Sequence, residues 1–313
     1  MENPTSSQLR IATRQSQLAL WQANFVRQEL LKYYPQLEIN LIPILTEGDQ
    51  LKGKLVQWGG KALFVKELQN SLLKGEADIA VHSVKDLSVT EHTELALGAI
   101  CFREDPRDVL ISASGLQLNE LPKHAVVGTT SPRRQSQLLA FRSDLIIKPL
   151  RGNVETRLQK LKTDEYDAII LAAAGLNRLK FNNLITEHLN PLSFVPAIGQ
   201  GAIGIEYVKE NRGIQELIQI LNHPLTSHCV KAERTVNKIL GGDCMTPIGV
   251  YSLADSNSNE LRLYGMIGSM DGKLIIRCQV SGNMLESEDL GCQLAEKMLA
   301  EGASYLIKDR QRN

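Results

Sequence analysis

Residues 9–45, LRIATRQSQLALWQANFVRQELLKYYPQLEINLIPIL, decide the fold class because they contain two kinds of periodicity in succession. The β-rich run LRIAT precedes an amphipathic stretch in which Leu18, Trp21 and Phe25 fall on one helical face. That stretch stops before Pro35, and LEINLIPIL then has the composition of a second strand. A strand, a helix and a strand in this order predict a parallel sheet covered by helices.

The same alternation continues along the chain. LFVKELQNSLLKG predicts a helix closed by Gly75, and ADIAVHS predicts another strand. After an interruption at REDPRD (103–108), a second α/β series is predicted from AVVG, RRQSQLLAFR, LIIKPL, NVETRLQKLK and DAIILAAA. From about Arg212 onward, two helical patterns, three consecutive strands and a closing helix predict a smaller α+β domain.

The composition is that of an ordinary globular protein, with 43% hydrophobic and 22% charged residues. Its 313 residues suit two or three domains. Lys plus Arg equals Asp plus Glu at 35 each, so the chain as a whole offers no polycationic face for a nucleic acid. Between Thr129 and Lys162, however, eight cations stand against only Asp144 and Glu155, which predicts a local anion site. The polar first residues and the short apolar runs predict a cytoplasmic protein without a membrane anchor.

The cysteines are odd in number, widely scattered and never arranged as CxxC: Cys101, Cys229, Cys244, Cys278 and Cys292. This pattern predicts reduced thiols and neither a disulfide framework nor a zinc site. The six histidines form no HExxH motif, so no metal is expected. Cys244, in GGDCMTPIGV, differs from the others because glycines precede it and a proline soon follows. Such a loop could expose a sulfur for nucleophilic bonding or hold a nonfunctional cysteine, and its context alone leaves both open.

Unusual polar residues follow five of the predicted strands. In open α/β sheets, ligands bind outside the carboxyl ends of the strands, where helix N-termini also present free amide donors. The residues at these positions are Arg14 and Ser16; Ser83, Lys85 and Asp86; Thr129, Thr130, Ser131, Arg133 and Arg134; Arg151; and Gly175. Their placement predicts ligand-binding groups along the strand ends.

The segment GTTSPRR (128–134) is the most specific of these motifs. Pro132 suits the first helical position and Ser131 is a candidate cap, so that Arg133 and Arg134 fall in the first turn. Cations there oppose the helix macrodipole at about 0.3–1 kcal/mol each, which suggests an incoming anion. The guanidinium fork matches carboxylates and phosphates. The alternative is a solvated helix start with surface arginines.

Two further motifs have both functional and structural interpretations. In VHSVKD (81–86), Asp86 could stabilise positive charge developing on a substrate and Lys85 could bind an anion, or the two could form a surface ion pair. His82 is interpreted as a packing or hydrogen-bonding residue. In GGKALF, Lys61 follows two glycines, which could form either a mobile anion-binding lid or a simple turn.

The segment GQGAIG (199–204) formally matches the GxGxxG dinucleotide fingerprint. That signature needs a strand before it and a helix after it, whereas a strand-like run, IGIEYV, follows here, so dinucleotide binding is rejected. We interpret the segment as a glycine-rich crossing between domains that places Gln200 within reach of a ligand.

Together these segments resemble the hydroxymethylbilane synthase family, also called the porphobilinogen deaminase family. The resembling stretches run from residue 9 into the C-terminal domain: LRIATRQSQLALWQ, GGKALFVKEL, ADIAVHSVKD, REDPRDVLIS, VVGTTSPRRQSQL, LRGNVETRL, YDAIILAAAGL, VPAIGQGAIGIE and AERTVNKILGGDCMTPIG. The resemblance implies an α/β fold with two domains similar to periplasmic binding proteins and a smaller C-terminal α+β domain. The implied boundaries are 1–101 (completed by 202–220), 102–201, and 221–313, the last carrying the cysteine loop.

The resemblance also implies an activity and its residues. Family members are transferases of haem biosynthesis that condense four porphobilinogen molecules head to tail with loss of ammonia, then release hydroxymethylbilane by hydrolysis. They carry a dipyrromethane cofactor on a thioether, here implied at Cys244, and Asp86 matches the catalytic aspartate. By motif match, the residues implied in cofactor binding are Lys85, Ser83, Thr129, Thr130, Ser131, Arg133, Arg134, Arg151, Arg157 and Gly175. Those implied in substrate binding are Arg14, Ser16, Lys61 and Gln200.

The partner expected from the resemblance is porphobilinogen, bound by a monomer without nucleic acid or membrane. Two other classes of function are weighed against the transferase. One is a noncatalytic anion-binding protein with the same two-lobed fold, which would lack a covalent cofactor. The other is a nucleic-acid binder, which the zero net charge and the lack of interleaved aromatic residues disfavour.

Overall fold

The structure, a computed structural model, describes residues 8–45, 62–90, 92–163, 165–242 and 245–309. The chain divides into two compact units. Unit 1 comprises Met1–Arg103 and Ala202–Ser227, and unit 2 comprises Glu104–Gly201 and His228–Asn313. The chain therefore leaves unit 1 after its first hundred residues and returns to it later.

Strands and helices alternate through the first part of the chain, as the periodicity predicts. The strands are β1 (Gln8–Arg14), β2 (Glu38–Ile44), β3 (Ile79–Ser83), β4 (Leu95–Ile100), β5 (Asp108–Ser112), β6 (Val126–Gly128), β7 (Ile146–Lys148), β8 (Ala168–Ala172), β9 (Glu187–His188), β10 (Ile203–Val208), β11 (Ile248–Asp255), β12 (Glu260–Gly268) and β13 (Ile275–Asn283). The helices are α1 (Gln17–Tyr33), α2 (Ala62–Leu73), α3 (Pro132–Phe141), α4 (Val154–Leu161), α5 (Ala173–Arg178), α6 (Arg212–Gln219), α7 (Pro224–Leu240), α8 (Ser287–Ala300) and α9 (Ala303–Asp309).

Unit 1 is built on a five-stranded sheet in the order β2-β1-β3-β10-β4. β1 is parallel to β2 and β3, whereas β10 is antiparallel to β3 and β4. Helix α1 packs on this sheet through Ala23, Val26 and Leu30, which are fully buried. Trp21 and Phe25 stack on each other at 5.5 Å and are only partly buried against the same core. The buried face of α1 is therefore rotated from the face that the sequence predicts.

Unit 2 repeats this arrangement in a second five-stranded sheet, ordered β7-β6-β8-β5-β9. β6 is parallel to β7 and β8, and β5 is antiparallel to β8 and β9. In both sheets the antiparallel strand is the fourth of five, β10 or β5, and it starts soon after the chain enters that unit. Because this strand runs opposite to the other strands of its sheet, its first residues lie at the edge where those strands end.

The rest of unit 2 is a three-stranded antiparallel meander, β11-β12-β13, with helix α8 packed on β12 and β13. Together with the two α/β sheets, it confirms the predicted fold class of two α/β domains and a smaller C-terminal α+β domain. No helix within the described residues is both long and apolar enough to cross a membrane.

Some details differ from the sequence interpretation. Strands β4, β5 and β9 are absent from it, and β5 begins at Asp108, the last residue of the segment REDPRD that the sequence interpretation treats as an interruption. The strand predicted over DAIILAAA ends at Ala172, and its last two alanines belong to α5. Alanine has the highest helix propensity, so these residues follow local preference once the sheet pairing stops.

Candidate functional site

In unit 1, the parallel direction of β1 and β3 brings predicted site residues to one edge of the sheet. The two strands pair in register at Ile11 and Ile79, so that Arg14, the last residue of β1, and Ser83, the last residue of β3, lie at the same edge. A short 3-10 turn, Val84–Asp86, follows β3 directly and contains Lys85 and Asp86. Arg14, Ser83, Lys85 and Asp86 are all half-buried at this edge.

Helix α1 supports this edge through two polar side chains. Ser16 is its N-cap, and the Ser16 hydroxyl accepts a hydrogen bond from the amide of Ala19 at 3.3 Å. Gln22, buried within α1, donates through Nε2 to the hydroxyl of Ser83 at 2.8 Å. Ser16 therefore has a structural role in capping, and Gln22 fixes the Ser83 hydroxyl.

The His82 side chain is turned into the fold of unit 1. It is buried, and its Nε2 lies 3.2 Å from Oε2 of Glu206 in β10. The other oxygen of Glu206 accepts from Nε2 of Gln69 in α2 at 2.8 Å. This arrangement is consistent with the interpretation of His82 as an internal polar residue.

In unit 2, the loops after β6, β7 and β8 meet at one edge for the same topological reason. Gly128 of β6 pairs with Lys148 of β7 and Ile169 of β8, both in parallel register. Thr129 and Arg151 follow the first two of these strands, and α5 follows the third with the buried Gly175 in its first turn.

The hydroxyls of the GTTSPRR segment hold the loop in place. The Thr129 hydroxyl accepts from the amide of Ser131 at 3.1 Å, and the Thr130 hydroxyl donates to the carbonyl of Leu150 at 3.2 Å. Ser131 is the N-cap residue of α3 and Pro132 is at its start, as predicted, but the Ser131 side chain makes no capping hydrogen bond. The predicted position of the cap is therefore confirmed, whereas the Ser131 hydroxyl does not make the expected capping hydrogen bond.

The next two residues, Arg133 and Arg134, are buried rather than on the surface, and they share one carboxylate. Nη1 of Arg133 donates to Oδ2 of Asp108 at 2.6 Å and to the carbonyl of Val195 at 2.6 Å. Arg134 donates to Oδ1 of Asp108 from Nε at 3.0 Å and from Nη2 at 2.7 Å, and its Nη1 donates to the carbonyl of Ile170 at 2.8 Å. An anion therefore does meet these cations at the helix N-terminus, and it belongs to the chain itself.

This cluster keeps a net positive charge. Burial opposes ionisation of the Asp108 carboxyl, but the nearby Arg133 and Arg134 outweigh it, so the pKa of Asp108 lies well below its usual range. Burial lowers the pKa of Arg133, and Asp108 opposes that decrease. Two guanidinium groups against one carboxylate leave one positive charge beneath the strand ends.

The two other predicted arginines lie nearer the surface. Arg151 is exposed in the loop after β7. Arg157, on α4, is half-buried, and its Nε donates to the carbonyl of Gly152 at 2.7 Å. The side chain of Asn153 caps α4 by accepting from the amide of Thr156 at 2.8 Å. Together these contacts hold the loop that joins β7 to α4.

Gln200 belongs to the same buried cluster as the two arginines. Its Nε2 donates to Oδ1 of Asp108 at 3.0 Å and to the carbonyl of Pro106 at 2.7 Å. The preceding turn is held by Glu233 of α7, whose Oε2 accepts from the amide of Gly199 at 2.7 Å. The carbonyl of Gly201 accepts from Nη2 of the buried Arg178 at 2.7 Å.

The sequence interpretation missed Gln22, Asp108, Arg178 and Glu233. Asp108 carried one usable signal, an acidic residue placed directly before a wholly apolar run, which has to find a partner when it is buried. The other three lie on helices, where only the tertiary structure shows their partners: Ser83 for Gln22, Gly201 for Arg178, and Gly199 for Glu233.

Two predicted residues, Cys244 and Lys61, lie outside the described residues. Of the other cysteines, Cys101, Cys229 and Cys278 are buried and Cys292 is half-buried, all as free thiols. Burial, together with Glu301, raises the pKa of the Cys278 thiol, which makes it less reactive. The described part of the chain contains no group of three or more His, Cys, Asp or Glu side chains placed to hold a metal ion.

The protein is an α/β protein in which the strand ends of both units carry arginine, lysine and hydroxyl groups, the donor types that match anionic ligands. Two family models cover most of the chain. "Porphobilinogen deaminase, dipyromethane cofactor binding domain" matches residues 9–216, and "Porphobilinogen deaminase, C-terminal domain" matches residues 227–300. The chain belongs to the porphobilinogen deaminase family.

Close relatives carry the same family name. Proteins named porphobilinogen deaminase from two strains of Coxiella burnetii, Dugway and RSA 493, are each 48% identical over 300 residues, covering 96% of this chain and 96% of the relative. Similar solved structures are more distant. The VFT2 domain of Bordetella pertussis BvgS is 13% identical, with a TM-score of 0.42 over 68% of this chain and 85% of that one. A Salmonella typhimurium periplasmic binding protein with high arginine specificity is 15% identical, with a TM-score of 0.41 over 69% of this chain and 92% of that one.

Proposed function

We propose that this protein condenses four porphobilinogen molecules head to tail, with loss of ammonia at each addition, and releases hydroxymethylbilane by hydrolysis. The observation that carries the proposal is the 48% identity along 96% of the chain to proteins named porphobilinogen deaminase. The strand ends described above support it, because the substrate and its oligomers are polycarboxylates and require cationic and hydroxyl donors. The protein acts as a transferase of tetrapyrrole and haem biosynthesis.

The cofactor is dipyrromethane, bound to the protein through a thioether at Cys244. Its carboxylates suit the groups at the strand ends, where the Thr129 hydroxyl accepts from Ser131 and keeps its own hydrogen to donate, and where the buried arginine cluster has a net positive charge. When bound, the cofactor supplies the anchored pyrrole to which further units are joined. The residues that would hold it are Ser83, Lys85, Thr129, Thr130, Ser131, Arg133, Arg134, Arg151, Arg157 and Gly175.

These residues would divide the work of carboxylate binding by their mobility. Arg133 and Arg134 are fixed by Asp108 and by main-chain carbonyls, so they would present a constant positive potential. Arg151 is exposed, and it would adapt to carboxylates at different positions of a growing chain. Gly175 lies in the first turn of α5, where its main-chain amide has no acceptor within the helix, so it would donate to a carboxylate.

Asp86 is the catalytic residue in this proposal. It lies at the carboxyl end of β3, next to Lys85 and one turn from Ser83. Its carboxylate would accept hydrogen bonds from pyrrole nitrogens and stabilise the positive charge that develops on the substrate as ammonia leaves. This contribution is electrostatic, and it acts where charge is greatest in the transition state.

Arg14, Ser16, Lys61 and Gln200 are proposed to bind the incoming substrate. Arg14 ends β1 at the same edge as Ser83, which supports its assignment. The Nε2 group of Gln200 donates to Asp108 and Pro106, so Gln200 would act mainly by fixing the arginine cluster. Lys61 is assigned by its match to the family motif GGKALF.

We also propose the division into domains 1–101 with 202–220, 102–201 and 221–313, and a monomeric cytoplasmic protein. The sheet memberships of β10 and β5 support the first division, and the free thiols support a reducing compartment.

The test of the proposed function compares Asp86, which follows β3, with Asp78, which precedes it. Asp86→Asn should lower kcat for porphobilinogen by about 100-fold or more, as for loss of a preorganised electrostatic group, while the protein stays folded and keeps its bound pyrroles. Asp78→Asn is the matched control, because Asp78 lies at the amino end of β3 and pairs there with Arg10 at 2.8 Å. It should keep wild-type turnover. Near-normal activity of Asp86→Asn would remove Asp86 from the catalytic role, and a wild type that releases no ammonia from porphobilinogen would refute the function.

A further inference from the structure

Asp108 is a fully buried carboxylate with an unusual concentration of donors. Its side chain is completely inaccessible to solvent, and it accepts from Arg133, from Arg134 through two nitrogens, and from Gln200, over distances of 2.6 to 3.0 Å. Burying a charge is costly unless it is paired and hydrogen-bonded, and an apolar core of the same volume is often as stable. Stability therefore gives no sufficient reason for two arginines and an aspartate at this position.

The topology places Asp108 where the ligand-binding loops begin. It is the first residue of β5 and pairs with Ala172, the last residue of β8. Because β5 is antiparallel to β8, Asp108 lies at the edge where β6 and β8 end, underneath the loops that carry Thr129 and α5.

Each guanidinium is held from two directions. Arg133 bonds to Asp108 and to the carbonyl of Val195, and Arg134 bonds to Asp108 and to the carbonyl of Ile170. Main-chain carbonyls cannot move independently of the fold, so a single carboxylate between the two forks determines where both lie. Without it, two like charges in a medium of low dielectric would repel one another.

We propose that Asp108 is a positioning residue, which fixes Arg133 and Arg134 in the arrangement that binds the carboxylates of the cofactor and of the substrate unit that joins it. This inference rests on the proposed function, because it deepens the role of the same arginines. The Asp108 carboxylate balances one of the two guanidinium charges, so the cluster keeps one positive charge. The same carboxylate fixes where the two guanidinium groups lie. It does not itself contact the reacting atoms.

The proposal predicts the sign of an effect on binding. If Asp108 only reduced the positive charge of the cluster, removing its charge would make carboxylate binding tighter and lower the KM for porphobilinogen. If it positions the arginines, Asp108→Asn raises KM instead. The expected increase is about 10- to 100-fold, the factor for losing one charge-assisted hydrogen bond to the ligand.

The experiment measures KM, kcat, the melting temperature and the intact mass of the holoenzyme for four proteins: wild type, Asp108→Asn, Asp108→Glu and Asp144→Asn. Asp144 is the matched control, since it also holds an arginine, accepting from Nε and Nη2 of Arg142 at 2.7 Å, but lies before β7 at the opposite edge of the sheet. Its variant should keep the wild-type KM and bound dipyrromethane. Asp108→Glu keeps the charge and should recover part of the loss.

The outcomes separate positioning from a merely structural role. A raised KM and reduced dipyrromethane content in folded Asp108→Asn, partly rescued by Asp108→Glu, supports the proposal. A wild-type or lowered KM in the folded variant overturns it, and so does the absence of folded protein from both Asp108 variants, because Asp108 would then be needed for folding itself. An inactive wild type would instead refute the proposed function.

Discussion

The loss of Glu233 gives a sharp test of how the turn beside the arginine cluster is held. Glu233 lies on α7 with no exposed surface, and it accepts from the amide of Gly199 at 2.7 Å, the amide of Ser252 at 3.0 Å and the hydroxyl of Ser252 at 2.7 Å. It thereby joins β11, the first strand of the C-terminal meander, to the turn that precedes Gln200. Gly199 adopts a left-handed conformation, with φ of 66°. Most other residues would be strained in this conformation, so the turn requires glycine here.

The magnitude follows from the donors that would lose their acceptor. In Glu233→Gln, one end of the new amide is an NH2 group, so in either orientation it faces an N–H or O–H donor that the carboxylate now satisfies. A buried donor without an acceptor costs about 1–3 kcal/mol, and we expect Glu233→Gln to lower the free energy of unfolding by that amount. Glu233→Ala leaves all three donors without this acceptor and should lower it by about 3 kcal/mol or more.

Equilibrium urea unfolding followed by circular dichroism measures both losses. Glu288→Gln is the control, because Glu288 pairs with Lys231 at 3.2 Å on the surface of the same unit, with 61% of its side chain exposed. That variant should stay within about 0.5 kcal/mol of wild type. If Glu233→Gln were as stable as Glu288→Gln, the hydrogen bonds of Glu233 would not hold this turn.

Two further predictions concern packing and pH. A Cβ atom on Gly249 would lie 2.8 Å from the carbonyl oxygen of Val195, so Gly249→Ala should lower the free energy of unfolding by about 1–3 kcal/mol. Gly282→Ala is the control and should lower it less, because its Cβ would meet the flexible end of a leucine. Equal losses of stability in the two variants would refute this packing argument. The folded pKa of Asp108 lies below its unfolded value of about 3.9, so its ionised form stabilises the protein above about pH 4 and this stabilisation is lost as pH falls further. Urea unfolding from pH 7 to pH 3 should therefore show a steeper acid loss in wild type than in Asp108→Asn, and parallel profiles would contradict the assignment.

Much of the fold follows from the sequence because its periodicities are local. The strand before Arg14, the helix after Ser16 and the strand before Lys85 are each visible within one stretch, and parallel topology then places their ends at one edge. The resemblance to a family added the assignments of Cys244 and Asp86, which local patterns left open.

The arginine cluster could not be derived in this way. Asp108 is separated from Arg133 by 25 residues, and their contact depends on β5 running antiparallel to β8. Nothing in the segment REDPRD indicates that direction. Glu233 and Gly199 are likewise 34 residues apart, on a helix and in a turn. Sequence patterns therefore predict which residues reach the strand ends, whereas the partners that fix them depend on tertiary structure.

The intact mass of freshly purified protein tests the central claim most directly. We predict that wild type is heavier than its sequence by one dipyrromethane, and that it gives the aldehyde colour reaction of dipyrroles and consumes porphobilinogen. Cys244→Ser should have the mass of its sequence and no turnover, while Cys292→Ser, which changes a half-buried thiol on α8, should retain both the added mass and the activity. An active wild type with an unmodified mass, or a Cys244→Ser variant that keeps the addition, would contradict the account.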